Sequence, residues 1–269
     1  RLNADSTFSL TLPSNGYEQI RLFLWGKRYL GSFIADGGNY RLQIDAAATH
    51  PISILEGKNE KNMEVSRLMD ELGQDVFDVL SRKGDKWGIT QDTLAASVSQ
   101  KLQDAVLALD EKMKGVDKDL YEKACQNTRI QTMWAFQNQL FGITYSCSEA
   151  TKQSWLKEWE KMMEFCRVNH PASTFSPAFD EVVYNNAGIT YYTKEEPVDE
   201  NLKKNPNKLI FHYIEKSLTG QTQESAMALL FLKDANEEKY DPEILPLEER
   251  FKQLYPQSKW QPLIDEAVA

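Results

Sequence analysis

Histidine and cysteine are scarce in this 269-residue chain, three of each, and no apolar run approaches the length needed to cross a bilayer. None of Cys125, Cys147 and Cys166 forms a C-x-x-C pair, and an odd count excludes complete internal pairing. His50, His170 and His212 lie far apart, without a Cys, His or carboxylate partner at ligand spacing, so no metal and no cofactor is expected. There is no Gly-x-Ser-x-Gly elbow and no glycine-rich phosphate loop. Asp36-Gly37-Gly38 follows one strand pattern and leads into another, whereas phosphate binding needs a helix there. An excess of base is missing too: Lys plus Arg is 31 against 40 for Asp plus Glu, a net charge of −9, which argues against nucleic acid. The one dense basic cluster, Lys203, Lys204 and Lys208, is diluted by Pro and Asn and reads as a solvated loop. The chain starts Arg1-Leu2-Asn3 without an initiator Met or an apolar leader, and is expected to be processed or cut from something longer.

What is present is ordinary globular material, 41% hydrophobic and 26% charged, enough for one large domain or two smaller ones. Six Trp within an 11% aromatic content require a core or an interface to hold them. The first sixty residues alternate with period two. Phe8, Leu10 and Leu12 predict one strand, with Pro13-Ser14-Asn15-Gly16 as a turn. Ile20, Leu22 and Leu24 alternate against Arg21, Phe23 and Trp25, and Tyr29 to Ile34 follow as the next strand. After the glycine turn at 36–38 come Tyr40, Leu42 and Ile44, then Ile52 to Leu55.

From Asn62 the period becomes helical. Val65, Leu68, Met69, Leu72, Val76, Val79 and Leu80 form a stripe, with Gly84 and Gly88 marking its end. A second helix is predicted from about Gln91, burying Leu94, Val98, Leu102, Ala105, Val106, Leu109 and Met113, and closed by Gly115. Asp117 is the expected cap of a third, carrying Leu120, Ala124, Ile130, Trp134 and Leu140. Ser148 caps a fourth with Trp155, Leu156, Trp159, Met162, Met163 and Cys166 on its buried face, and Ser176-Pro177 opens a fifth through Phe179, Val182 and Val183. Residues 185–207 read as an irregular connection. Helices resume over Leu209–Leu218, Glu224–Ala235, Leu247–Tyr255 and Pro262–Val268. The fold class is α+β, mostly α: a short N-terminal antiparallel β-sheet or partial sandwich, then an array of antiparallel helices. The expected domains are a β-rich one over 1–60, incomplete at its N-terminus, and a helical one over 61–269.

No residue is assigned as catalytic, cofactor-binding or metal-ligating. Cys125 and Cys166 sit at core spacing, and Cys147, in Tyr145-Ser146-Cys147-Ser148, is the most exposed of the three by its neighbours. Glu195-Glu196, Glu237-Glu238 and Glu248-Glu249 read as solvated pairs rather than glycosidase acids. Asp234 to Asp241 lacks the alternating ligands and central Gly of a calcium loop. Trp155 and Trp159 read as core, not as a sugar or peptide platform, and His170 as a helix-end residue. Pro171-Ala172-Ser173 and Pro256-Gln257-Ser258 echo one another without a fixed repeat period.

Ser6-Thr7-Phe8-Ser9-Leu10, Phe33-Ile34-Ala35-Asp36-Gly37-Gly38-Asn39-Tyr40-Arg41-Leu42-Gln43-Ile44-Asp45 and Ile54-Leu55-Glu56-Gly57-Lys58-Asn59 running into a helix together resemble a known arrangement. It is the domain of unknown function that precedes thioredoxin in exported thiol–disulfide oxidoreductases of the TlpA/AhpC-TSA type. Asn169-His170-Pro171-Ala172-Ser173 resembles a joint of that family's helical middle region, and Leu254-Tyr255-Pro256-Gln257-Ser258 the stretch just before its thioredoxin domain. The family's Trp-Cys-x-x-Cys centre and thioredoxin fold have no counterpart here, so the resemblance implies a non-enzymatic accessory region. It implies export to the bacterial envelope, periplasmic or outer-membrane-anchored, with any lipid-bearing Cys upstream of Arg1. The implied partners are the chain's own or a partner's thioredoxin domain, envelope proteins, and a second copy in a homodimer. The competing readings are a free-standing helical peptide- or glycan-binding protein and a hydrolase built on scattered carboxylates.

Overall fold

Alternation over residues 18–24 and 28–35 becomes an antiparallel ladder in the computed structural model, which describes residues 16–24, 28–45, 47, 52–57, 59–80, 94–144, 147–237, 239 and 241–268. Several sequence readings fall outside the described residues: the strand through Phe8, Leu10 and Leu12, the turn residues Pro13 to Asn15, Trp25, His50, Gly84, Gly88, Gln91, Tyr145, Ser146 and Glu238. So do the side chains of Tyr29, Leu72, Val76, Val79, Leu80 and Leu94. Strands β1 (Glu18–Leu24) and β2 (Arg28–Ala35) pair with Glu18 opposite Ala35 and a register shift between Leu22 and Phe23. Strands β3 (Arg41–Ile44) and β4 (Ile52–Glu56) pair antiparallel with Leu42 opposite Ile54. Among the described residues these are two separate two-stranded sheets. The Asp36-Gly37-Gly38 turn therefore joins two ladders and closes no hairpin of its own.

That turn is held by the start of the first helix. The Tyr40 hydroxyl donates to Asp36 Oδ1 at 2.6 Å, and the Nδ2 groups of Asn59 and Asn62 donate to Asp36 Oδ2 at 3.1 and 3.2 Å. Asn59 also caps α1 (Glu60–Leu80): its Oδ1 accepts from the backbone N–H of Lys61 and of Asn62. Gly57 is required between β4 and this cap. Its φ is +79°, and a Cβ there would lie 2.1 Å from the Asn39 carbonyl oxygen. Phe33, Ile34 and Ala35 are the buried apolar centre of this part, with the Phe33 and Tyr40 rings 5.3 Å apart.

The chain divides into two compact units, Arg1–Leu68 and Met69–Ala269, so the division falls inside α1. The second unit holds helices α2 (Leu94–Lys112), α3 (Lys118–Thr144), α4 (Glu149–Cys166), α5 (Phe179–Gly188), α6 (Glu200–Lys203), α7 (Pro206–Ser217), α8 (Gly220–Asn236), α9 (Ile244–Leu254) and α10 (Gln261–Val268). Helices α3 and α4 run antiparallel. Gln126 of α3 bonds the end of α4 at Cys166, and Phe136, ten residues further along α3, stacks on Trp155, eleven residues earlier in α4. Phe231 meets Phe211 of α7 on one side and Phe251 of α9 on the other.

Local chemistry sets the ends. Asp117 Oδ1 accepts from the N–H of Asp119 and Leu120 at the start of α3, and Gly115 before it has φ +92°. Ser148 Oγ accepts from Thr151 N at the start of α4. The segment read as irregular is mostly helical. α5 continues into a π-turn over Ile189–Thr193, α6 follows, and Pro206 is the first residue of α7 with Asn205 as its cap. Proline there fits the helix start, where its missing N–H has no intrahelical partner to lose. Ser176-Pro177 does not cap α5. Ser176 ends a 3-10 turn, Pro171–Phe175, its Oγ accepts from Ala178 N, and α5 begins at Phe179.

The Pro-x-Ser echo is real as local geometry. Ser173 N donates to the His170 carbonyl at 2.8 Å and Ser258 N to the Tyr255 carbonyl at 3.0 Å, and Ser176 and Gln261 repeat the three-residue step. The core runs through Leu102, Val106, Met113, Ile130, Met133, Phe136, Trp155, Phe179, Phe231 and Phe251, all essentially without exposed surface. Trp134 was expected in this core and is 42% exposed. α3 is enclosed on most of its circumference, and its buried positions include Gln126, Asn127, Thr128, Thr132 and Gln137, so apolar spacing does not mark its buried side.

Candidate functional site

Two short side chains open a cleft. α2 presents Ala96, Ser99, Gln100 and Gln103 at helical spacing, and α4 faces them with Glu158, Lys161, Glu164 and Phe165. Because Ala96 and Ser99 end close to the α2 backbone, the longer side chains around them enclose a solvent-open volume of about 380 Å³, within the range of ligand sites.

Several of the polar groups in it are hydrogen-bonded within the fold. Ser99 is 1% exposed and Glu158 6%, both far more buried than a surface serine or glutamate. Gln103 Nε2 donates to Ser99 Oγ at 3.0 Å, Gln100 Nε2 to Asp104 Oδ1 at 2.8 Å, and Lys161 Nζ to Glu158 Oε1 at 2.6 Å. Phe165 is half-buried, and the Arg129 guanidinium lies 5.6 Å from its ring centroid. Arg129 is anchored in turn by a two-pronged pair with Asp110 of α2.

The sulfurs lie elsewhere in character. Cys125 and Cys166 are buried, as expected. Burial pushes the Cys125 thiol up to about 12, with the Asp110 carboxylate adding to the effect. Burial alone pushes Cys166 up to about 12 against the pull of Arg129. Burial therefore favours the protonated thiol at both sites near neutral pH. Cys147 is the most accessible of the three, at intermediate exposure.

His170 ends a helix joint, its Nδ1 accepting from Ala172 N and its Nε2 lying 3.2 Å from Glu122. His212 stacks near Tyr191, 6.1 Å between centroids. Of the glutamate pairs, Glu195 and Glu196 bind Lys152 and Lys194 at 3.1 Å each. Glu237 pairs with Lys239 at 2.6 Å. Glu248 departs from the expected solvated surface: it is buried, 2.6 Å from Lys252, because α9 starts at Ile244 and turns that position inward.

The acidic stretch 234–241 is a structural knot that sequence reasoning missed. Asp234 accepts from Asn207 Nδ2 and from Asp241 N, and Asp241 from Asn205, Asn207 and Glu243 N. The only signal was the pair of asparagines flanking Pro206. Lys203 and Lys208 of the basic cluster lie on α6 and α7, not in a loop, and pair with Glu200 and Glu243. Among the described residues no group of His, Cys, Asp and Glu is placed to hold a metal ion, and no helix is long and apolar enough to cross a membrane.

A second polar node is enclosed and holds α3, α4 and α5 together. Asn186 Oδ1 accepts from Gln137 Nε2 and from the Trp159 indole N–H, one residue pair before the π-turn. Trp155 and Trp159 are buried, as read from the sequence. No family model, no curated protein and no solved structure matches this chain.

Proposed function

We propose that this chain is a non-catalytic docking and positioning module, the accessory region of an exported thioredoxin-like thiol–disulfide oxidoreductase of the bacterial envelope. The observation that carries the reading is the α2–α4 cleft, open to solvent and lined by polar side chains of two helices. Such a surface suits a segment of another protein. The thiols support the same division of labour: Cys125 and Cys166 are held protonated, so dithiol exchange belongs to a partner domain. The residues behind the family resemblance, Asp36, Tyr40, Gly57 and Asn59, interlock at the start of α1, which suits a structural signature better than a reactive one.

The test is an NMR titration of the labelled chain with a separately expressed thioredoxin domain encoded by the same gene. Shifts confined to one face, including Ser99, Gln103 and Phe165, are the expected result. No shifts at high concentration, or no such domain encoded, would move the assignment to a free-standing peptide- or glycan-binding protein.

A further inference from the structure

The cleft has a chemical bias that names its ligand. One N–H of each of its nitrogens is engaged within the protein: Gln100 Nε2 on Asp104, Gln103 Nε2 on Ser99, Lys161 Nζ on Glu158. Glu158 Oε2, the Glu164 carboxylate and the side-chain carbonyls of Gln100 and Gln103 accept no bond from the described residues. Free donors and free acceptors are both present, so net charge decides, and two carboxylates against one ammonium call for a cation.

Lys161 shows the geometry such a group takes. Its Nζ sits 2.6 Å from Glu158 Oε1, while its own side chain is 53% exposed against 8% for Glu158. The carboxylate is therefore the fixed partner and the lysine the movable one, free to rotate into solvent at little cost. Phe165 argues against a sugar, because a guanidinium already lies over its ring. The ring edge and the Ala96 methyl instead give the aliphatic stem of a long side chain something to lie on.

We propose that the α2–α4 cleft receives a lysine or arginine side chain from an extended segment of a partner polypeptide, with Glu158 as its counter-ion and Lys161 as the internal stand-in it displaces. This deepens the docking reading and rests on it only for the partner's being a protein.

The experiment titrates the labelled chain with three blocked peptides, acetyl-Gly-Lys-Gly-amide, acetyl-Gly-Arg-Gly-amide and acetyl-Gly-Glu-Gly-amide. The two cationic peptides are expected to shift Ser99, Gln103 and Phe165, and the acidic one to leave them still. Glu158→Gln weakens the cationic peptides about tenfold. Lys161→Met, which removes the competitor and keeps the stem, tightens them roughly threefold or more. Lys161→Met leaves the buried Glu158 carboxylate without its counter-ion, so the comparison of cationic with acidic peptide on the unmodified chain keeps the proposal testable if either variant fails to fold. Equal response to the acidic peptide, or weaker binding by Lys161→Met, overturns the proposal. If a thioredoxin domain docks while the cationic peptides leave the cleft unshifted, this inference falls and the docking reading stands. The reverse pattern separates them the other way.

Discussion

Gln137 of α3 donates its amide to Asn186 Oδ1 of α5 at 2.6 Å, and both residues are wholly buried. The same oxygen takes the Trp159 indole N–H at 3.2 Å, so one carboxamide ties three helices. Replacing Asn186 by Leu leaves the Trp159 indole N–H without an acceptor and the Gln137 amide with the Val182 carbonyl alone, which costs about 2–4 kcal/mol. Gln137 Oε1 and Asn186 Nδ2 have no partner in the fold, so the node carries a standing penalty. The double variant Gln137→Leu/Asn186→Leu is therefore expected to cost less than the sum of the singles. Urea unfolding of the four species in a mutant cycle checks it, and strict additivity would refute the coupling.

Asp36 makes stability depend on acid pH. The Tyr40 hydroxyl is the largest of the influences holding its carboxyl below the usual 3.8, and Asn59 and the Gly38 backbone N–H add to it. A carboxyl lowered in the fold stabilises above its unfolded value, and that contribution disappears as pH falls through the folded value. The site is exposed, so the effect is about 1 kcal/mol or less. Asp36→Asn should flatten the loss of stability below pH 3.8 while changing little at pH 2. An unchanged slope in acid titrations of unfolding would show that these bonds do not couple to folding.

Much of this was legible because apolar period and capping chemistry agreed. Asp117 and Ser148 have caps' side chains in caps' places, and α4 buries Trp155, Leu156 and Trp159 where the stripe put them. On α3 Leu120, Ala124, Ile130 and Leu140 are buried as expected and only Trp134 was misplaced, because the solvent strip of a central helix is too narrow to impose a period. There the polar residues face inward: Gln126 satisfies the Cys166 and Arg167 carbonyls at the end of α4. Residues 185–207 show little apolar period and hold two prolines, which hid their helices, though Asn205 before Pro206 marks a helix start. The cleft left no trace, since a gap made by Ala96 and Ser99 depends on which helix stands opposite them.

Trp134 provides a direct check of that reading. It is 42% exposed, on the same strip of α3 as the exposed Asn138 and Gly142. Trp134→Gln should change stability by no more than about 0.5 kcal/mol, whereas a core tryptophan would cost several-fold more. Thermal unfolding of the variant decides it, and a loss of roughly 3 kcal/mol or above would return Trp134 to the core.

The sulfurs should sort by environment. At pH 8 a thiol raised to about 12 is almost wholly protonated, so Cys125 and Cys166 should alkylate at least about a hundredfold more slowly than Cys147 in the native protein. In denaturant all three should react alike. Mass spectrometry after timed iodoacetamide treatment reads each site separately. Native Cys125 reacting as fast as Cys147 would mean that α3 opens in solution, and with it the argument that dithiol chemistry belongs to a partner.

Gly57 carries the most severe single substitution foreseen. Its backbone is left-handed at φ +79°, which for an L-residue costs about 1–2 kcal/mol. The added methyl would also meet the Asn39 carbonyl oxygen at 2.1 Å, a contact that only backbone movement relieves. Asn39 adjoins Tyr40, whose hydroxyl bonds Asp36, and Asp36 in turn holds the α1 cap Asn59, so the displacement loosens the whole joint. Gly57→Ala is accordingly expected to destabilise by about 2 kcal/mol or more and to broaden or shift the amides of Asn39, Tyr40, Asn59 and Asn62. Heteronuclear NMR at a temperature where the variant stays folded reads those amides directly. Native-like shifts at all four, with unaltered unfolding, would show that the chain reaches α1 by another path, and the interlocked turn could not then be the reason for the Gly-Lys-Asn sequence at 57–59.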